Sequence, residues 1–75
     1  NVDGVLAAIE DKYRGEKVTT IDGVKIDFAD GWVHLRKSNT EPIIRIYSES
    51  RDRASAEAMA AMFITEIERI SKGGR

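Results

Sequence analysis

The 75-residue chain has no cysteine, one proline and one histidine, and it has no surplus of either charge. Without cysteine there is no disulfide framework, thiolate nucleophile or cysteine-ligated metal site, so a chain near the lower size limit for a closed core must rely on packing. A lone histidine offers no placed acid–base partner, and the carboxylates are scattered without ligand spacing, so neither a catalytic residue nor a metal site is expected. Twelve basic residues against 13 acidic ones leave a net charge of -1, which gives no overall field to gather a polyanion. Nucleic acid is therefore not an expected partner. The longest weakly polar stretch, Ala56 to Ile64, is far too short to span a bilayer, and the first residues lack a signal-peptide pattern, so no membrane partner is expected. The expected location is cytoplasmic. The chain starts at Asn1 rather than Met and is small for an enzyme with a walled cleft, so it reads as one domain, residues 1–75, of a longer polypeptide.

Hydrophobic spacing divides the chain into two helices and four strands. Val5, Leu6 and Ile9 share one helical face and Tyr13 follows, with Asp3 the expected N-cap and Gly15 the expected stop. From Lys17 the pattern becomes β-branched and alternating. Strands are expected over Val18 to Ile21 and Val24 to Phe28, joined at Asp22-Gly23 by a primed hairpin turn, with Asp30-Gly31 marking the next reversal. In Trp32 to Arg36, Val33 and Leu35 point one way while Trp32, His34 and Arg36 point the other, and a fourth strand covers Ile43 to Glu49. A long closing helix is capped by Asp52, ends at Gly73 and Gly74, and carries the stripe Met59, Met62, Phe63, Ile67 and Ile70. The expected fold class is α+β: a two-layer, four-stranded, mainly antiparallel sheet packed by two helices. Val33, Leu35, Ile44 and Ile46 should meet Met59, Phe63 and Ile67.

Between the third and fourth strands lies RKSNTEPIIR, Arg36 to Arg45, with three basic residues, Arg36, Lys37 and Arg45, against one acid, Glu41. Ser38 and Thr40 offer hydroxyl donors, Asn39 an amide, and successive loop N–H groups can converge on an anion. Pro42 holds the loop exit extended. The forked guanidinium groups of Arg36 and Arg45 suit phosphate oxygens and can clamp a phosphate between neighbouring strands. The plain alternative is a tight turn with two solvated arginines. Trp32 and Tyr47 allow an RNA-stacking reading and the helices a protein-interaction reading, although no aromatic RNA-binding or Gly-x-x-Gly motif is present. His34 is expected to be structural or solvent-facing, and Met59 and Met62 to fill the core.

The stretch DGWVHLRKSNTEPIIRIYSES, with the preceding DGVKIDF and the following helix, resembles the signature of the C-terminal domain of the α-D-phosphohexomutases. These include phosphomannomutase, phosphoglucomutase and phosphoglucosamine mutase. The resemblance implies a fold like that of the TATA-box-binding protein and a place as the fourth domain of a four-domain enzyme. It implies that Arg36, Ser38, Asn39 and Thr40 contact the phosphate of the hexose phosphate that is not transferred, and that Arg45 helps to keep the site positive. The domain itself would bind no cofactor. Mg2+ and a phosphoserine belong to other domains of the same polypeptide, which would be its partners together with the sugar phosphate. The reaction implied interconverts hexose 1-phosphate and 6-phosphate through a bisphosphate intermediate, and the isolated domain is expected to be inactive. Asn39 stands where many phosphoglucosamine mutases have glycine, which favours a phosphomannomutase or phosphoglucomutase of archaeal type over a phosphoglucosamine mutase.

Overall fold

Val24 and Ile26 alternate with Lys25 and Asp27, so a strand through them can turn one side to a dry core and the other to water. The computed structural model, which describes residues 2–41 and 43–73, shows this division throughout the sheet. In chain order the elements are α1 (Val2–Lys12), β1 (Lys17–Thr19), β2 (Val24–Phe28), β3 (Gly31–Lys37), β4 (Ile44–Ser50) and α2 (Arg53–Gly73). The strands form one antiparallel sheet in the order β1-β2-β3-β4. Register places Ile26 opposite Val33, Val24 opposite Leu35, and Leu35 opposite Ile46, so one face carries a continuous apolar patch. Both helices cover that face. Val5, Leu6 and Ile9 of α1 and Phe63 of α2 join Val24, Ile26, Val33 and Leu35 in a single buried core, with Ile44, Ile46, Met59, Ile67 and Ile70 packed around it. The expected two-layer α+β architecture and its buried face are present.

The turns explain where the strands stop. Phe28 pairs with Gly31, leaving only Ala29 and Asp30 to reverse the chain between β2 and β3. Gly31 is required by crowding rather than by its torsion angle: a Cβ there would lie 2.1 Å from the Glu49 carbonyl oxygen on β4. Ser50 Oγ donates to the Asp30 carbonyl at 3.0 Å and fixes the same corner. The β1–β2 connection differs from the two-residue primed turn expected at Asp22-Gly23. The loop runs over residues 20–23, and among these only Gly23 has a positive φ, 78°, whereas a type I′ turn requires it at both central residues. β1 consequently ends at Thr19, and Ile21 is 93% exposed in the loop.

Two helix details also differ from expectation. Asp3 lies inside the first turn of α1 instead of capping it, where its charge still complements the positive end of the helix. Asp52 does cap α2: its carboxylate accepts the Ser55 N–H at 2.7 Å, and this hydrogen bond holds its pKa below the usual carboxylate value. Met62, placed in the apolar stripe, is 45% exposed. At about 100° per residue the inward line runs through Met59, Phe63 and Ile70, and Glu66 falls nearer its middle than Met62 does.

Glu66 is accordingly a buried acid in a helix interface. Its carboxylate receives Lys12 Nζ at 2.7 and 2.6 Å and the Tyr13 hydroxyl at 2.9 Å, joining the end of α1 to α2. The Lys12 hydrogen bond is the chief reason that the Glu66 pKa is lowered, overcoming the opposing effect of burial. Tyr13 is pushed up to about 12, first by burial and then by its hydrogen bond to the Glu66 charge. Replacing one member strands the others in a partly dry site. Glu66→Gln is expected to destabilise the fold by about 1.5–3 kcal/mol at neutral pH, the scale of a hydrogen bond to a charged group. A depressed folded-state pKa means that the unfolded carboxyl takes up its proton first as pH falls. The wild-type advantage is thus full above the ordinary glutamate value and fades as pH drops through the lowered one. Denaturant titrations of both proteins at neutral and acidic pH should show the gap closing on acidification, and a pH-independent gap would contradict the charge-based assignment.

Candidate functional site

The segment between β3 and β4 sits where the sheet's two faces are reached by adjacent residues. Leu35 faces the core, so its neighbour Arg36 projects from the uncovered side. Arg36 and Arg45 are direct cross-strand partners, and Lys37 pairs with Ile44 one step nearer the loop. The register therefore sets the two arginines opposite one another on neighbouring strands. Like charges set opposite one another repel, so this arrangement gains only if a negative group shares it.

Beyond Lys37 the loop is closed by its own backbone. The Ser38 N–H donates to the Ile43 carbonyl at 3.1 Å, and the Ile43 N–H donates to the Glu41 carbonyl at 2.8 Å. Ser38 is buried; its Oγ accepts the Thr40 N–H at 3.3 Å and lies 3.4 Å from Thr40 Oγ1. Asn39, Thr40 and Glu41 are exposed, while the role given to Pro42 falls outside the described residues. The structure thus brings Ser38 and Thr40 together and leaves Asn39 at the tip. A shallow hollow of roughly 430 Å³ lies between residues 37–41 and the start of α1, where Lys37 Nζ reaches Asp3 at 3.2 Å. Neither arginine lines that hollow. Loop hydroxyls and arginines are joined by chain continuity at the end of the strands.

One neighbour escaped the sequence reading. Asp22 Oδ2 lies 3.0 Å from Arg36 Nη2, and the Asp22 carbonyl accepts a hydrogen bond from His34 Nε2. The register supplies the reason: Val24 faces Leu35, so the turn preceding Val24 lies alongside Arg36. The Asp-Gly pair signals a turn in the sequence, but its neighbour on the next strand emerges only from the pairing. His34 also stands opposite Tyr47, with ring centroids 6.4 Å apart, and Lys25 Nζ lies 5.1 Å from the Trp32 ring centroid. The sheet aromatics therefore have local partners. Among the described residues no group of three His, Cys, Asp or Glu side chains can hold a metal ion, and no helix is long and apolar enough to cross a membrane.

A family model described as phosphoglucomutase/phosphomannomutase, C-terminal domain, matches residues 1–66. The chain belongs to this family. A phosphoglucomutase/phosphomannomutase of Thermococcus kodakarensis is 47% identical over 60 residues, covering 80% of this chain and 13% of the relative. A phosphoglucosamine/phosphogalactosamine mutase of Sulfurisphaera tokodaii is 47% identical over 57 residues, 76% of this chain and 12% of the relative. A phosphomannomutase/phosphoglucomutase of Pseudomonas syringae is 36% identical over 55 residues, 73% of this chain and 12% of the relative. This phosphohexomutase domain thus spans about one eighth of the length of these relatives. Proteins named for different sugars match it equally at 47%, so likeness alone does not sort the domain by sugar.

Proposed function

We propose that this domain grips the non-transferred phosphate of a hexose phosphate within a phosphohexomutase, through Arg36, Ser38, Asn39, Thr40 and Arg45. The observation that carries the reading is the Arg36–Arg45 cross-strand pair at the mouth of a donor-rich loop, in a chain of this family. Two planar forks match phosphate oxygens, and an anion between them turns a repulsive pair into a favourable one. The exposed Asn39 and Thr40 supply further donors, while Ser38 Oγ accepts the Thr40 N–H to hold the loop in shape and keeps its own hydroxyl proton to donate. Energy from a remote phosphate is useful because it orients the reacting end of the same sugar, so this domain positions substrate rather than reacting with it. In the parent enzyme, Mg2+ and a phosphoserine on other domains supply the phosphoryl-transfer chemistry that interconverts hexose 1-phosphate and 6-phosphate through a bisphosphate.

For the sugar, Asn39 in place of glycine favours mannose or glucose phosphate. The second reading, an amino-sugar phosphate, rests on a relative named for glucosamine and galactosamine phosphates that is 47% identical, the same as the relative named for glucose and mannose phosphates. Phosphate is common to both, and the proposed contacts are to phosphate alone.

In the full-length parent, Arg36→Ala should lower kcat/KM at least about tenfold, because a hydrogen bond to a charged group contributes about 1.5–3 kcal/mol. The control is Arg53→Ala, whose side chain is 91% exposed and meets only Glu57 one helical turn away at 3.6 Å. Steady-state kinetics on a hexose 1-phosphate should separate the two variants. Equal, small losses would remove Arg36 from the proposed site.

A further inference from the structure

We propose that Asp22 is the built-in counter-ion of the arginine pair, occupying Arg36 while the site is empty and releasing it to phosphate. The inference rests on the phosphate-gripping reading above and adds a residue that does not itself contact the sugar phosphate. Arg36 and Arg45 are cross-strand partners, and among the described residues Arg45 makes no ion pair. The carboxylate that offsets their repulsion is Asp22, 3.0 Å from Arg36 Nη2.

That carboxylate is delivered by the backbone rather than by chance side-chain contact. The Asp22 carbonyl is tied to His34 Nε2 on the same strand as Arg36. Next to it Gly23 adopts a φ of 78° and approaches β3 so closely that a Cβ would lie 2.2 Å from the Leu35 carbonyl oxygen. Asp22 is therefore held over the uncovered face beside Arg36. Yet the contact itself is weak. The Arg36 and Asp22 side chains are 46% and 64% exposed, in the range where ion pairs exchange readily and are screened. A phosphate carries more charge and more oxygens, and it can span both forks, which Asp22 meets on one side only. The carboxylate thus occupies Arg36 before binding, and the phosphate must displace it to reach that fork.

Nuclear magnetic resonance titration of the chain with inorganic phosphate tests this. In wild type the Ser38, Asn39 and Thr40 amides should shift, and the Arg36 Nε–Hε signal should move as Asp22 is exchanged for phosphate. Asp22→Asn should bind phosphate about two- to fivefold more tightly, the scale of one exposed ion pair. Asp22→Ser is the second variant should the amide side chain form a substitute hydrogen bond. On an Arg36→Gln background, which should itself weaken binding about tenfold or more, the gain from Asp22→Asn should disappear. If Arg36→Gln weakens binding but both Asp22 variants bind as wild type or worse, the counter-ion role is wrong and the phosphate site stands. If the loop amides ignore phosphate and Arg36→Gln changes nothing, the site and the counter-ion role both fall.

Discussion

Phe63→Ala is expected to lower stability by about 3–5 kcal/mol, the usual cost of emptying a buried phenylalanine site. Phe63 has no exposed surface and is among the largest fully buried side chains in the domain. Its ring centroid lies 5.1 Å from Tyr13 and 6.4 Å from Phe28, and those two meet edge to face at 6.0 Å. One residue therefore links α2, the end of α1 and β2. The pieces are held by the frame around them, so the cavity cannot close by moving one side chain. β3 and β4 are pinned by the sheet, and the Lys12–Glu66 contact fixes α1 against α2. Domains of ordinary stability have about 5–15 kcal/mol in total, and a short chain buries a smaller fraction of its surface, so this loss should leave a large unfolded population. Urea titration followed by circular dichroism measures it, with Phe63→Leu as the volume-sparing comparison at below about 1.5 kcal/mol. Met62→Ala, one residue away and 45% exposed, should change stability by only a few tenths. A Phe63→Ala loss as small as that of Met62→Ala would show that the core does not close on this ring.

These two neighbouring positions show what the sequence made legible. Alternation in β2 and β3 placed Val33 and Leu35 inward because a strand has only two sides, and any register that buries one buries both. The helix leaves more freedom: an apolar stripe more than 100° wide admits several edges, and Met62 lies on one that the sheet does not cover. Glu66 was hidden by its residue type, since an acid in the stripe reads as solvent-facing until Lys12 and Tyr13 are known to converge on it. The loop's place between two strands was legible from its polar residues and Pro42, whereas those residues serve a plain turn as well as an anion site, and the direct Arg36–Arg45 pairing emerges only from the β3–β4 register. Asp22 was not legible. Its place beside Arg36 depends on the β2–β3 register and on a turn whose form departs from the usual Asp-Gly hairpin.

That turn gives the other large expected effect. Gly23→Ala should cost about 2–4 kcal/mol, combining the strain of a left-handed non-glycine residue with a collision between main chains. The φ of 78° already disfavours any side chain. In addition, the new Cβ would stand 2.2 Å from the Leu35 carbonyl oxygen and 3.2 Å from the Arg36 Cα, and neither is the flexible tip of a side chain that can swing away. Relief requires β2 to part from β3 beside Arg36, or the turn to lift from the sheet. Either movement carries Asp22 away from Arg36 and loosens the strand that sets Arg36 opposite Arg45. The substitution should therefore weaken phosphate binding as well as lower stability, in contrast to Asp22→Asn, which removes the charge and leaves the backbone in place. Gly15→Ala provides the comparison: a Cβ there meets nothing within 4 Å and φ is not positive, so it should be neutral or stabilise by up to about 1 kcal/mol. Denaturant titration and a phosphate titration on the same samples would decide the matter. If Gly23→Ala stays within a few tenths of wild type in stability, the turn relaxes at little cost, and the backbone cannot be what holds Asp22 against Arg36.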